Sequence, residues 1–136
     1  LGLLLGRASL QLYQPAKKHW LSLGLTESGY YILMALASGK PHPRSSVATL
    51  IGLGGFSLTD EVLAPLAEQG LLEMADTEAG PALKLTGAGL DMMVQLAAQA
   101  RSAEEQAMLG MDLEDRLLFK RMLKQICRNS APGTAA

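Results

Sequence analysis

The residues best equipped for chemistry gather where two early segments meet. Tyr13, His19, Trp20, Tyr30, Tyr31 and Met34 lie close in sequence, and with Phe56 and Phe119 they hold every aromatic and one of the two histidines. Hydroxyl, indole and imidazole donors could orient a ligand there, and the same rings suit packing of a joint between two lobes. Elsewhere the chemistry thins out. Cys127, flanked by Lys124 and Arg128, could form a thiolate that senses oxidants, but an inert thiol is the plainer reading. As the single cysteine it rules out an internal disulfide framework and any multi-cysteine metal site. His42 sits between two prolines as a loop residue, far in sequence from His19, so no zinc site is expected. The glycine-rich GLGG at Gly52–Gly55 lacks the lysine and following hydroxyl of a phosphate loop. No carboxylate pairs with a candidate nucleophile, so neither an enzyme nor a cofactor is expected.

These residues need elements to position them, and the stretch Gly70–Gly89, GLLEMADTEAGPALKLTGAG, is the most telling. Gly70 follows the apolar-periodic Leu58, Val62 and Leu66 and suits a helix C′ position. Leu71 to Ala75 and Pro81 to Leu85 read as short strands around the six-residue turn ADTEAG, which lacks a strong hairpin dipeptide and predicts a loose hairpin. Thr86 is a good N-cap for a helix carrying Leu90, Met93, Val94 and Ala97. Helix, hairpin, helix is the pattern of a winged helix.

The rest reads as helical. Residues 3–23 form an apolar helix with a kink or break expected near Tyr13, because Pro15 removes a donor and crowds the preceding turn. Thr26 caps a second helix, in which Tyr30, Leu33, Met34 and Ala37 share a face and Gly39 marks the end. A third runs from Arg44 or Ser45 to Ile51, and a fourth from Ser57 or Leu58 to Gln69. The fifth spans Thr86 to about Leu109. The last, Asp112 to about Arg128, has Leu117, Leu118, Met122 and Ile126 as a buried face, with acids first and bases after them. That order suits the helix's own dipole, with a basic patch for nucleic acid or an acidic partner as the other reading. The tail Asn129–Ala136 is expected to be disordered.

With 136 residues, 49% of them hydrophobic, the chain can bury one core or one lobe plus an oligomer interface. LGLLLG is too short for a bilayer span and lacks a signal peptide's basic flank, so a cytosolic location with no membrane is expected. The chain does not begin with methionine, which suggests that N-terminal residues lie outside it.

The motifs LGLT at Leu23–Thr26, GLL at Gly70–Leu72 and LTGAG at Leu85–Gly89, in this order and spacing, resemble the MarR family of dimeric bacterial transcriptional regulators. The resemblance covers nearly the whole chain. It implies a mainly α fold: a dimerisation helix at 1–22, a winged helix-turn-helix lobe with a two-stranded wing at 23–86, dimerisation helices at 87–129 and a tail at 130–136. It implies a homodimer through Leu3, Leu4, Leu10, Leu118, Met122 and Ile126. The recognition helix would be Ser57–Gln69 and the wing tip Ala75–Gly80. Double-stranded DNA would meet Arg44, Ser45, Ser46, Ser57, Thr59, Asp60 and Lys84. A small aromatic effector would sit among Tyr13, His19, Trp20, Tyr30, Tyr31 and Met34, its carboxylate or phenol oriented by their polar groups.

Three departures bear on DNA. The wing has no arginine and is about three residues shorter than the family's. The outer positions of the fourth helix are Asp60, Glu61, Ala64 and Glu68, with Pro65 inside it. From Pro41 to Leu85, Arg44 and Lys84 stand against Asp60, Glu61, Glu68, Glu73, Asp76 and Glu78, a net charge of −4. Since lysine and arginine supply most sequence-independent affinity, binding would lean on hydroxyls and helix N-termini and be modest. The other reading is a regulator acting through protein contacts without DNA.

Overall fold

The computed structural model describes residues 1–131; of the tail expected to be disordered, residues 132–136 lie outside them. The elements are α1 (Gly2–Ser22), α2 (Glu27–Ala35), β1 (His42–Pro43), α3 (Arg44–Gly52), α4 (Asp60–Glu68), β2 (Leu72–Thr77), β3 (Gly80–Leu85), α5 (Gly87–Ala107) and α6 (Leu113–Asn129). The chain divides into two compact units, one from Leu1 to Ala103 and one from Glu104 onward. No helix of the described residues is long and apolar enough to cross a membrane.

Helix boundaries follow their caps. Thr26 accepts the Gly29 N–H at 3.0 Å, and Asp112 accepts that of Asp115 at 2.9 Å. Gly70, at φ +69°, closes α4: its N–H donates to Ala67 and that of Leu71 to Leu66, both at 2.9 Å. This pair of bonds is a Schellman motif, and it occupies carbonyls that the helix end would leave open. Gly24, at φ +76°, ends α1 the same way, with Leu25 N–H reaching Trp20. α1 runs unbroken through Pro15, so the expected break is absent; exposure there lets water serve the carbonyl that proline cannot partner.

Thr86 joins the hairpin to α5. Its hydroxyl donates to the Gly70 carbonyl and accepts from the Gly89 N–H, while its own N–H donates to Leu71 at 3.1 Å. Gly89 must be glycine for a geometric reason. A Cβ there would fall onto the Leu71 carbonyl oxygen. The LTGAG motif is therefore a knot of backbone contacts rather than a loop.

Several expectations shift. α4 starts at Asp60, since Phe56–Thr59 stay outside the helix. The hairpin is tight, because the strands continue through Asp76 and Thr77 to the Thr77–Gly80 pair, leaving Glu78 and Ala79 as the turn. Gly80 at φ +106° and the bond from Thr77 Oγ1 to the Gly80 carbonyl, 2.9 Å, supply the turn chemistry that no dipeptide advertised. The wing's two strands also gain a third: His42 and Pro43 pair antiparallel with Leu83 and Ala82, giving a sheet of order β1-β3-β2.

The core belongs to the first unit. Trp20, Leu25, Ile32, Leu33, Leu36, Val47, Ile51, Leu63, Leu66, Leu71, Leu83, Leu85, Met93 and Leu96 are all buried. On α2 the buried stripe runs Gly29, Tyr30, Ile32, Leu33, leaving Met34 exposed, and Ala37, expected on the same face, is exposed beyond the helix end at Ala35. On α5 it is Gly89, Met93 and Leu96, while Leu90, Val94 and Ala97 face out. α6 buries no residue, so the face expected to be covered is open in the single chain.

Candidate nucleic-acid interface and aromatic crevice

α3 and α4 form a helix, turn, helix unit, and one exposed ion pair links their first residues. Arg44 opens α3 and its Nη2 donates to Asp60 Oδ1 of α4 at 2.8 Å. The guanidinium expected to face phosphate is thus engaged by a carboxylate expected at the same surface. Neither helix N-terminus has a side-chain cap, since Pro43 and Thr59 make none. Their first backbone N–H groups remain open to an anion, though Asp60 and Glu61 place negative charge beside those of α4.

Ser45 and Ser46 are exposed in the first turn of α3, and Thr49 donates back to the Ser45 carbonyl at 3.0 Å. Ser57 and Thr59 are exposed just ahead of α4. Glu61, Ala64, Pro65 and Glu68 are exposed along it, so the outer face is as acidic as its sequence. Lys84 is half-buried on β3 opposite Glu73 of β2, a carboxylate neighbour that lowers its value as a phosphate contact. The surface presents hydroxyls and amides in a negative field.

The aromatic cluster divides into two groups. Trp20 and Tyr30 stack with centroids 3.8 Å apart at 14°, and both are buried. These two rings pack the joint between α1 and α2. Tyr13 tilts against Trp20 at 6.2 Å and is exposed, and His19 is half-buried. Tyr31 instead faces Phe56 at 5.1 Å. With Met34, Ala35, Leu50 and Ile51 it lines an open cavity of about 300 Å³. Of the six candidate ligand residues, Tyr31 and Met34 share this crevice. Ala35, Leu50 and Ile51, its other walls, carry no separate signal in the sequence, because apolar residues there read as ordinary helix faces, and Phe56 touches the crevice through Tyr31.

Burial, then the neighbouring Tyr13 and Glu27, raises the Tyr31 phenol above its usual range. The neutral phenol is held as a donor. Glu27 is itself 3.7 Å from Lys17. Among the described residues no cluster of histidine, cysteine and acidic side chains could hold a metal, and Cys127 is exposed.

No protein-family model and no curated protein matches the sequence. Solved structures match along nearly its whole length. A MarR-family transcriptional regulator from Silicibacter pomeroyi superposes with a TM-score of 0.81 at 19% identity, covering 95% of this chain and 88% of that one. The chain has the MarR fold. A MarR-family protein of Mycobacterium tuberculosis in complex with p-aminosalicylic acid gives 0.71 at 24% identity, covering 93% and 97%. BpsR of Bordetella bronchiseptica, whose DNA binding is regulated by 6-hydroxynicotinic acid, gives 0.66 at 19%, covering 93% of each chain. Within the first unit the run from α2 to β3 makes a central lobe that carries the exposed α4 and the β2–β3 hairpin.

Proposed function

We propose that the protein is a homodimeric, ligand-responsive transcriptional regulator that binds DNA through α4 and the hairpin. The observation that carries this reading is the MarR fold with an exposed α4 preceded by hydroxyls at Ser57 and Thr59. One α4 enters the major groove per half-site, and two copies set the half-site spacing. Ser45, Ser46, Ser57 and Thr59 meet phosphates, together with the amides at the starts of α3 and α4. Arg44 acts through Asp60, and Lys84 adds a contact at the hairpin. Asp60 suits a cytosine amino group better than a phosphate. A second copy covers Leu3, Leu4 and Leu10 of α1, 93%, 69% and 65% exposed, and Leu118, Met122 and Ile126 of α6, 41%, 54% and 37% exposed.

The effector is a small aromatic acid, as the ligands of the M. tuberculosis and B. bronchiseptica proteins suggest. Its ring lies against Met34, Leu50 and Phe56, and the Tyr31 hydroxyl donates to its carboxylate. Tyr13 and His19 border the aromatic joint, while Trp20 and Tyr30 support it from beneath. p-Aminosalicylic acid is a suitable first probe, read by quenching of Trp20 fluorescence.

Titration of labelled DNA from the gene's own upstream region, at several salt concentrations, tests the function. A sequence-preferring, salt-dependent isotherm is expected, and no binding near about 50 mM salt removes the DNA reading. Glu61→Lys should tighten binding several-fold, and an unchanged affinity would place that face away from DNA. The net charge of −4 favours one second reading, a regulator that keeps the dimer and crevice and works through protein contacts alone.

A further inference from the structure

The charges of α6 form a pattern that its dipole does not explain. Arg116, Lys120, Lys124 and Arg128 follow one another at intervals of four, a run of like charges on one ridge with about 6 Å between steps. Neighbours of the same sign at this spacing weaken a helix. Dipole compensation acts within the last turn, where Arg128 sits, and does not reach Lys120, Arg121 or Lys124. Arg116 is neutralised by Glu105 Oε2 at 2.9 Å and also donates to the carbonyls of Met108 and Met111. Among the described residues no carboxylate lies within ion-pair reach of Lys120, Arg121 or Lys124. The ridge is a source of positive charge in a chain of net charge −1.

Its surroundings are mixed rather than uniformly basic. Leu117, 59% exposed, shares a shallow groove with Lys120, Arg121, Lys124 and Arg128. A second groove on the same helix joins Leu117 and Arg121 to Leu113, Leu118 and Glu114. At 100° per residue, Lys124 and Met122 point roughly 160° apart, so a second copy seated on Met122 leaves the ridge uncovered.

We propose that Lys120, Arg121, Lys124 and Arg128, with Leu117 among them, dock an acidic amphipathic segment of another protein. Charge complementarity fixes the sign of the partner. The exposed leucines select its kind: carboxylates four residues apart on a helix match the 6 Å steps, and an apolar side chain between them covers Leu117. A duplex backbone offers phosphates but nothing to cover the leucine, whereas an amphipathic segment supplies both the negative charge and the apolar cover. Docking here does not require that the protein bind DNA.

The test uses the full chain and three probes: a helical peptide with glutamates four apart and a central leucine, the same peptide with glutamines, and a random duplex. The glutamate peptide should bind, weaken about tenfold between low and physiological salt, and be lost in Lys120→Gln/Lys124→Gln. Glutamine is a good helix former, so this variant should keep its helical content and its oligomeric state. Absence of binding by the glutamate peptide overturns the proposal. Equal binding of the glutamine peptide does so too, as does a ridge-dependent preference for the duplex, which would assign the ridge to nucleic acid. Dissociation of the variant into single chains would assign it to the contact between copies.

Discussion

The central lobe and α6 use apolar residues in opposite ways. In the lobe, Ile32, Leu33, Leu36, Val47 and Leu83 are fully buried within one chain. Along α6, Leu113, Leu117 and Met122 are 72%, 59% and 54% exposed, and no residue is buried. Both regions carry helical periodicity, so periodicity identifies a face and does not say what covers it. Lobe residues find their cover in β2, β3 and neighbouring helices, whereas on α6 Met122 depends on the proposed second copy and Leu117, on the other side of the helix, on the proposed acidic segment.

This contrast can be broken most severely from the buried core of the first unit, where α1 and α5 pack against the lobe. Trp20→Ala removes the ring stacked on Tyr30 and should lower stability by about 3–5 kcal/mol, seen as a fall in the urea midpoint that does not vary with protein concentration. Gly89→Ala drives a methyl onto the Leu71 carbonyl oxygen and should cost about 3 kcal/mol by the same measurement. Met122→Glu should act differently: the lobe keeps its fold, while sedimentation shows the dimer weakened about 100-fold by a charge in an apolar interface. A concentration-independent loss of stability instead would mean that Met122 belongs to an intrachain core. Arg44→Ala should be mildest, within about 1 kcal/mol, because its pair with Asp60 is exposed. Its larger effect should be on DNA affinity.

Much of the fold was legible because local chemistry dictates it. Thr26, Gly70, Thr86 and Asp112 mark their boundaries through caps that need no tertiary partner. β1 was not legible, since a His-Pro pair preceded by another proline becomes a strand only when Leu83 and Ala82 lie beside it. The tight turn at Glu78–Ala79 was hidden for a related reason: pairing along the whole hairpin set the register. Face assignments on α2 and α5 drifted by a position or two, because Met34 and Val94 satisfy the helical period as well as the residues that pack. At the crevice, sequence proximity grouped six residues, but burial separated Trp20 and Tyr30 from Tyr31 and Met34. The Arg44–Asp60 pair crosses sixteen positions and had no sequence signal.

The bonds gathered at Thr86 have a mechanical consequence. With Gly70 and Leu71 fastened to the first turn of α5, and no side chain at Gly89 to cushion the joint, the root of the hairpin and that turn form a stiff elbow. A torque applied to α5 would arrive at the hairpin undamped, so swinging the wing requires turning the helix behind it.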